Sequence, residues 1–171
     1  VGTVFTATIP ISSSTAEGAL AVSVASTDSC GNAGSTSTTT TNGAYVTVDK
    51  SVGSLLTAVS IASSNGVTTL AREGDVVTLS VESSEAIPVP SVTRHGSSGL
   101  EVRAFTLSGS TYTPSTFPAT HIKVSFTVVD SSAQGAVAFA ISYTDRAGNQ
   151  HAQVSAATDL SGVTVDTQAP A

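Results

Sequence analysis

A chain that repeats itself at a fixed spacing can fold only into units that share one architecture, and this chain repeats at 117 residues. The run Gly18-Ala19-Leu20-Ala21-Val22-Ser23-Val24, continued by Ser26-Thr27-Asp28 and Gly31-Asn32, opens the first copy. It is matched by Gly135-Ala136-Val137-Ala138-Phe139-Ala140-Ile141, continued by Tyr143-Thr144-Asp145 and Gly148-Asn149. The offset holds without a gap from Thr3 opposite Thr120 to Val46-Thr47-Val48-Asp49 opposite Val163-Thr164-Val165-Asp166. Residues 1–54 therefore read as the last part of one repeat, and residues 55–171 as one complete repeat.

What each repeat folds into follows from its residue types. Charged residues make up 11% of the chain, against about 25% in an ordinary soluble domain, and Val, Thr and Ser alternate in their place. Branched and hydroxyl side chains suit a pleated, half-buried surface and lose entropy in a helix, so the chain is expected to be all-β. Its 171 residues accommodate one sandwich of about 100 residues and a remainder. The net charge of −6, with six Lys plus Arg placed singly, leaves no basic stripe for a phosphate backbone and excludes nucleic acid as a partner. Cys30 is the single cysteine, so no intrachain disulfide forms and no CxxC motif exists. No apolar run reaches the roughly 20 residues of a membrane-spanning helix. The N-terminus lacks a basic stretch followed by an apolar one, so the chain reads as a mature or excised segment.

Turn signals divide the complete repeat into strands, lettered here as in a seven-strand sandwich. Strand A is predicted over Leu56 to Ser63, ahead of the Asn65-Gly66 turn. Strand B covers Asp75 to Glu82 with Val77, Leu79 and Val81 on one face. Pro88 and Pro90 forbid a central strand, and a more exposed middle section follows from Val92 to about Tyr112. Strand E runs from His121 to Val129 with Ile122, Val124, Phe126 and Val128 inward. Strand F runs from Ala136 to Thr144 with Val137, Phe139, Ile141 and Tyr143 inward. Strand G comprises Ala152 to Ala156 and Val163 to Asp166. By the offset, residues 1–54 supply strands E (Phe5, Ala7, Ile9, Ile11), F (Leu20, Val22, Val24) and G (Val46, Val48), without A to D.

At Thr144-Asp145-Arg146-Ala147-Gly148-Asn149 and Val163-Thr164-Val165-Asp166-Thr167-Gln168-Ala169-Pro170 the chain resembles the bacterial-type Ig-like repeats of large surface adhesins. Gly74-Asp75-Val76-Val77-Thr78-Leu79 and Ser84-Glu85 are similar to that family's strand B opening and B–C loop. The resemblance implies tandem immunoglobulin-like β-sandwich repeats, the first of them partial, in an extended stalk. The chain departs from the pattern at Asp49-Lys50-Ser51-Val52-Gly53, where the linker proline is missing and the joint is expected to be looser.

Several residues have both a structural and a functional reading. Asp28 with Asn32, and Asp145 with Asn149, flank glycine turns and serve either as turn formers or as part of a calcium site. For the latter, the topology the resemblance implies brings Asp49, Glu85 and Asp145 together at the domain joint, as hard oxygen ligands for calcium. The tract Ser35-Thr36-Ser37-Thr38-Thr39-Thr40-Thr41 reads either as an outward strand G or as acceptors for O-glycosylation. No N-x-S/T acceptor is present. His95, His121 and His151 have no nucleophile in an elbow motif beside them and are expected at the surface, so an enzyme is not expected. Arg94, His95 and Arg103 fall in the exposed middle section, where Ig loops meet partners.

The expected role is a structural spacer or adhesive repeat of an extracellular or cell-surface fibre. Its partners are neighbouring copies or adjacent repeats, which complete the missing strands of residues 1–54, and surface glycans or proteins. The rival is a carbohydrate- or protein-binding module of a secreted protein, which the scarcity of aromatics disfavours.

Overall fold

Alternating sequence becomes strand in this chain where a neighbouring strand is present to pair with it. The computed structural model describes residues 4–95, 102–104, 111–113, 117–129, 132 and 134–169. The chain divides into two units, Val1–Lys50 and Ser51–Ala171. Among the described residues there is no helix, and none that could cross a membrane.

The described residues of the second unit form ten strands: β3 (Leu56–Ser63), β4 (Leu70–Ala71), β5 (Val76–Ile87), β6 (Ser91–His95), β7 (Val102–Ala104), β8 (Thr111–Thr113), β9 (Ala119–Thr127), β10 (Gly135–Ala136), β11 (Ala138–Ser142) and β12 (Thr164–Val165). They form a four-stranded sheet in the order β3-β5-β9-β8 and three-stranded sheets β11-β6-β7 and β10-β12-β4. All pairings are antiparallel except β12 with β4. One buried cluster joins Val59, Leu79 and Val124 from the first sheet to Val92, Ile141 and Val165 from the other two, an arrangement consistent with a β-sandwich.

Period two set most of these faces. β3 spans the residues predicted for strand A, and Val77, Leu79 and Val81 of β5 and Ile122, Val124 and Phe126 of β9 are buried as expected. β5 continues past Glu82 to Ile87, through an irregularity in its pairing with β9. The predicted strand F is interrupted at Val137, and Ala140, expected outward, is buried. Strand G survives only as β12 and an isolated bridge from Val154 to Ile141. Between them the chain runs along the free edge of β3. There Thr158 Oγ1 accepts from Val59 N at 3.0 Å and Ser161 Oγ from Ile61 N at 2.8 Å. These hydroxyls occupy donors that an open edge would expose. Residues 96–101 and 105–110 of the predicted middle section, and Pro170 of the linker motif, lie outside the described residues.

The first unit holds β1 (Gly18–Ala19) and β2 (Thr47–Val48), paired antiparallel. Its registers recur 117 residues on. Gly18 faces Val48 and Ala19 faces Thr47, as Gly135 faces Val165 and Ala136 faces Thr164. The bridges Val24–Ser37 and Thr27–Ala33 correspond to Ile141–Val154 and Thr144–Gln150. The predicted strand E is not formed: residues 4–11 have no strand, and Phe5 is 89% exposed. The cause is partnership. β9 is held between β5 and β8, and the described part of the first unit contains neither neighbour. Val22, Val24 and Val46, expected inward, are exposed for the same reason, whereas Val48 is buried.

Candidate functional site

The best-organised polar site lies at the turn after β11. Gly148 adopts φ +93°, a left-handed conformation that a side chain would strain. This closes the chain so that Asp145 N donates to Asn149 O at 3.1 Å. The Asp145 carboxylate fills the turn. Oδ1 accepts from Asn149 N at 2.9 Å, and Oδ2 accepts from Asn149 Nδ2 at 2.8 Å. Asp145 is 2% exposed. Burial pushes its carboxyl up, but the side-chain and backbone bonds from Asn149, with His151, outweigh that and hold it below the ordinary value.

His151 completes the site and corrects an expectation, since it is buried and not at the surface. Its ring stacks on Tyr143 with centroids 5.1 Å apart and planes 7° from parallel. Nδ1 faces the Gly53 carbonyl in a short contact, and a carbonyl only accepts, so Nδ1 carries a proton. Nε2 stands 3.5 Å from Asp145 Oδ2. That is an electrostatic approach without hydrogen-bond geometry. Tyr143 Oη accepts from Leu55 N at 3.3 Å. His121, by contrast, is exposed as expected.

The first unit repeats the turn without the burial. Asp28 Oδ1 accepts from Asn32 N at 2.8 Å and Oδ2 from Asn32 Nδ2 at 2.9 Å. Asn32, first through its side chain, lowers the Asp28 carboxyl. Gly31 has φ +89°. At the positions of Tyr143 and His151 stand Ser26 and Gly34, joined by Gly34 N donating to Ser26 O at 2.8 Å, as His151 N donates to Tyr143 O at 3.2 Å. A Cβ on Gly34 would meet Ser26 Oγ at 2.5 Å.

The turn-forming reading of Asp28, Asn32, Asp145 and Asn149 thus has a geometry. Asp145, one of the three expected calcium ligands, is buried and accepts hydrogen bonds from Asn149 on both carboxylate oxygens. Among the described residues no three His, Cys, Asp or Glu side chains form a group that could hold a metal ion. Glu85 is half-buried in β5, and Asp49 follows β2 in the first unit. The hydroxyl tract Ser35–Thr41 is exposed along its whole length. Thr38, Thr39 and Thr40 line a groove of about 400 Å³ with Leu20, Val22, Tyr45 and Val46. Sequence reasoning missed this groove and the Tyr143–His151 stack. Comparison with protein-family models, with curated proteins and with solved structures finds no match.

Proposed function

We propose that the chain is part of a tandem array of immunoglobulin-like domains and serves as a spacer or adhesive repeat in an extracellular fibre or surface stalk. The observation that carries this reading is the recurrence, 117 residues apart, of strand register, bridges and the Asp–Asn turn. One local pattern of register, bridges and turn used twice in succession suits an array whose job is reach. A second support is the apolar surface of the first unit. Phe5, Ile9, Ile11, Val24 and Val46 are all more than half exposed. In this reading they pack under strands of an adjacent repeat or a neighbouring subunit. The hydroxyl tract, exposed in such an array, is the place for O-linked glycans.

Intact mass on material from the native source tests the proposal. An array requires a polypeptide far heavier than 16.9 kDa, or assembly of that unit on light scattering, and hexose-spaced mass on the Ser35–Thr41 tract accompanies it. A native 16.9 kDa chain that stays monomeric and well dispersed with a folded first unit sinks the reading.

One observation favours the rival binding module. Tyr45, 78% exposed, flanks the apolar groove with three threonine hydroxyls beside it, and aromatic faces with nearby hydroxyls suit sugar rings. Titration of oligosaccharides against the chain and its Tyr45→Ala variant separates the two, since a spacer shows no Tyr45-dependent binding.

A further inference from the structure

The aromatic pair beside the second turn is not needed to make the turn. Ser26 and Gly34 hold those positions in the first unit, and Asp28 and Asn32 still make the same bonds there. What Tyr143 and His151 add must therefore lie in what they touch beyond the turn. Each touches the backbone of the segment leading into β3: His151 Nδ1 meets Gly53 O, and Tyr143 Oη meets Leu55 N. An imidazole and a carboxylate are costly to bury together, and the first copy does without the imidazole.

We propose that Tyr143, Asp145 and His151 form a latch that fixes the lead-in segment Gly53–Leu55 to the turn Asp145–Asn149, so that the second unit starts from an anchored point. Asn149 fixes the Asp145 carboxylate, whose Oδ2 lies 3.5 Å from the imidazole Nε2, and the stack on Tyr143 holds the ring plane toward Gly53. From the opposite side Ser84 N donates to Leu55 O at 2.8 Å, so Leu55 is gripped through both backbone groups. Under the stalk reading, on which the mechanical role rests, tension arriving through Ser51 meets this latch before it reaches β3. Without it, the pull would fall directly on Leu56, at the end of an edge strand paired only with β5, whose ladder opens one bond at a time when peeled from its end.

Amide hydrogen exchange on the whole chain tests the latch. Tyr143→Phe keeps the ring stack and removes the acceptor, so the Leu55 amide is expected to exchange at least tenfold faster while the Ile122 amide in β9 keeps its rate. His151→Gly, which installs the residue of the first turn, is expected to do the same and to leave the Asn149 amide protected. If Leu55 is unchanged in Tyr143→Phe, or if Leu55 and Ile122 accelerate by the same factor, the latch is overturned and the pair is only core packing. Should His151→Gly fail to fold, Tyr143→Phe decides alone. The readout does not depend on assembly: accelerated Leu55 exchange in a protein whose native form is a short monomer retains the latch and removes only its role under tension.

Discussion

The two turns built on Asp28 and Asp145 share their hydrogen bonds, their glycine conformation and their register, yet Asp28 stands in water and Asp145 is buried under an aromatic stack. The difference separates two things that a folded loop combines. Its backbone path is local chemistry, written in an Asp, an Asn and a glycine and formed equally well in either setting. Its role depends on what packs against it, and that is set by residues outside the turn. The same contrast runs along the segments leading into the turns, where Ile141 is fully buried and Val24, at the matching bridge position, is 64% exposed.

Truncating that pair of residues gives the largest contrast. Ile141→Ala removes methyl groups from a site without solvent contact and should cost about 2–5 kcal/mol, because the surrounding core collapses only in part. Val24→Ala should change stability by less than about 0.5 kcal/mol in the monomer, as surface changes do. Chemical denaturation of the two variants checks this. A large loss from Val24→Ala would mean that the first unit is covered in solution, and its dependence on protein concentration would identify a second copy as the cover.

The carboxylates come next. Asp145→Asn keeps the size of the side chain but loses charge-assisted acceptance from two Asn149 groups, and should cost about 1–3 kcal/mol. Asp28→Asn should leave the unfolding of the second unit where it was. The two can be sharpened by pH. Because the folded Asp145 carboxyl titrates below its ordinary value, its stabilisation is complete above the unfolded carboxylate pKa of about 3.9 and disappears as pH falls through the lower folded one. Thermal melts of wild type and Asp145→Asn should therefore begin to converge as pH falls below about 4 and close only in stronger acid. A gap that persists unchanged into acid would show that the variant acts by packing alone.

How much of this the sequence contains depends on whether the information is local. Alternation placed β3 and the inward faces of β5 and β9, since period two records which side of a strand is apolar. It failed at Phe5, Ala7, Ile9 and Ile11, whose pattern matches β9 but whose pairing partners are not among the described residues of the first unit, because alternation says nothing about the neighbour. The turn was legible in Asp145, Gly148 and Asn149. His151 was not, because a lone histidine between Gln150 and Ala152, outside any alternating run, carries no sign of burial. The signal was available in the offset, however: Ser26 becomes Tyr143 and Gly34 becomes His151, two small residues exchanged for two rings at positions that pair across one turn.

The smallest effect asks whether the two turns are the same object beneath their surroundings. Gly31 and Gly148 sit at φ +89° and +93°, and in neither would an added Cβ meet another atom within 4 Å, so the cost of a side chain is backbone strain without steric clash. Strain of that kind is about 1–2 kcal/mol and belongs to the residue's own dihedral angles. Gly31→Ala and Gly148→Ala should therefore loosen their turns alike, although one loop is exposed and the other leads into the core. Exchange of the Asn32 and Asn149 amides, each bonded to the carboxylate of its own turn, reads the two sites separately in one protein. Equal acceleration places the shared part of the turns in the backbone. A much larger effect at Asn149 would mean that burial also shapes the path of the chain, and that the second turn depends on the rings of Tyr143 and His151 even for its conformation.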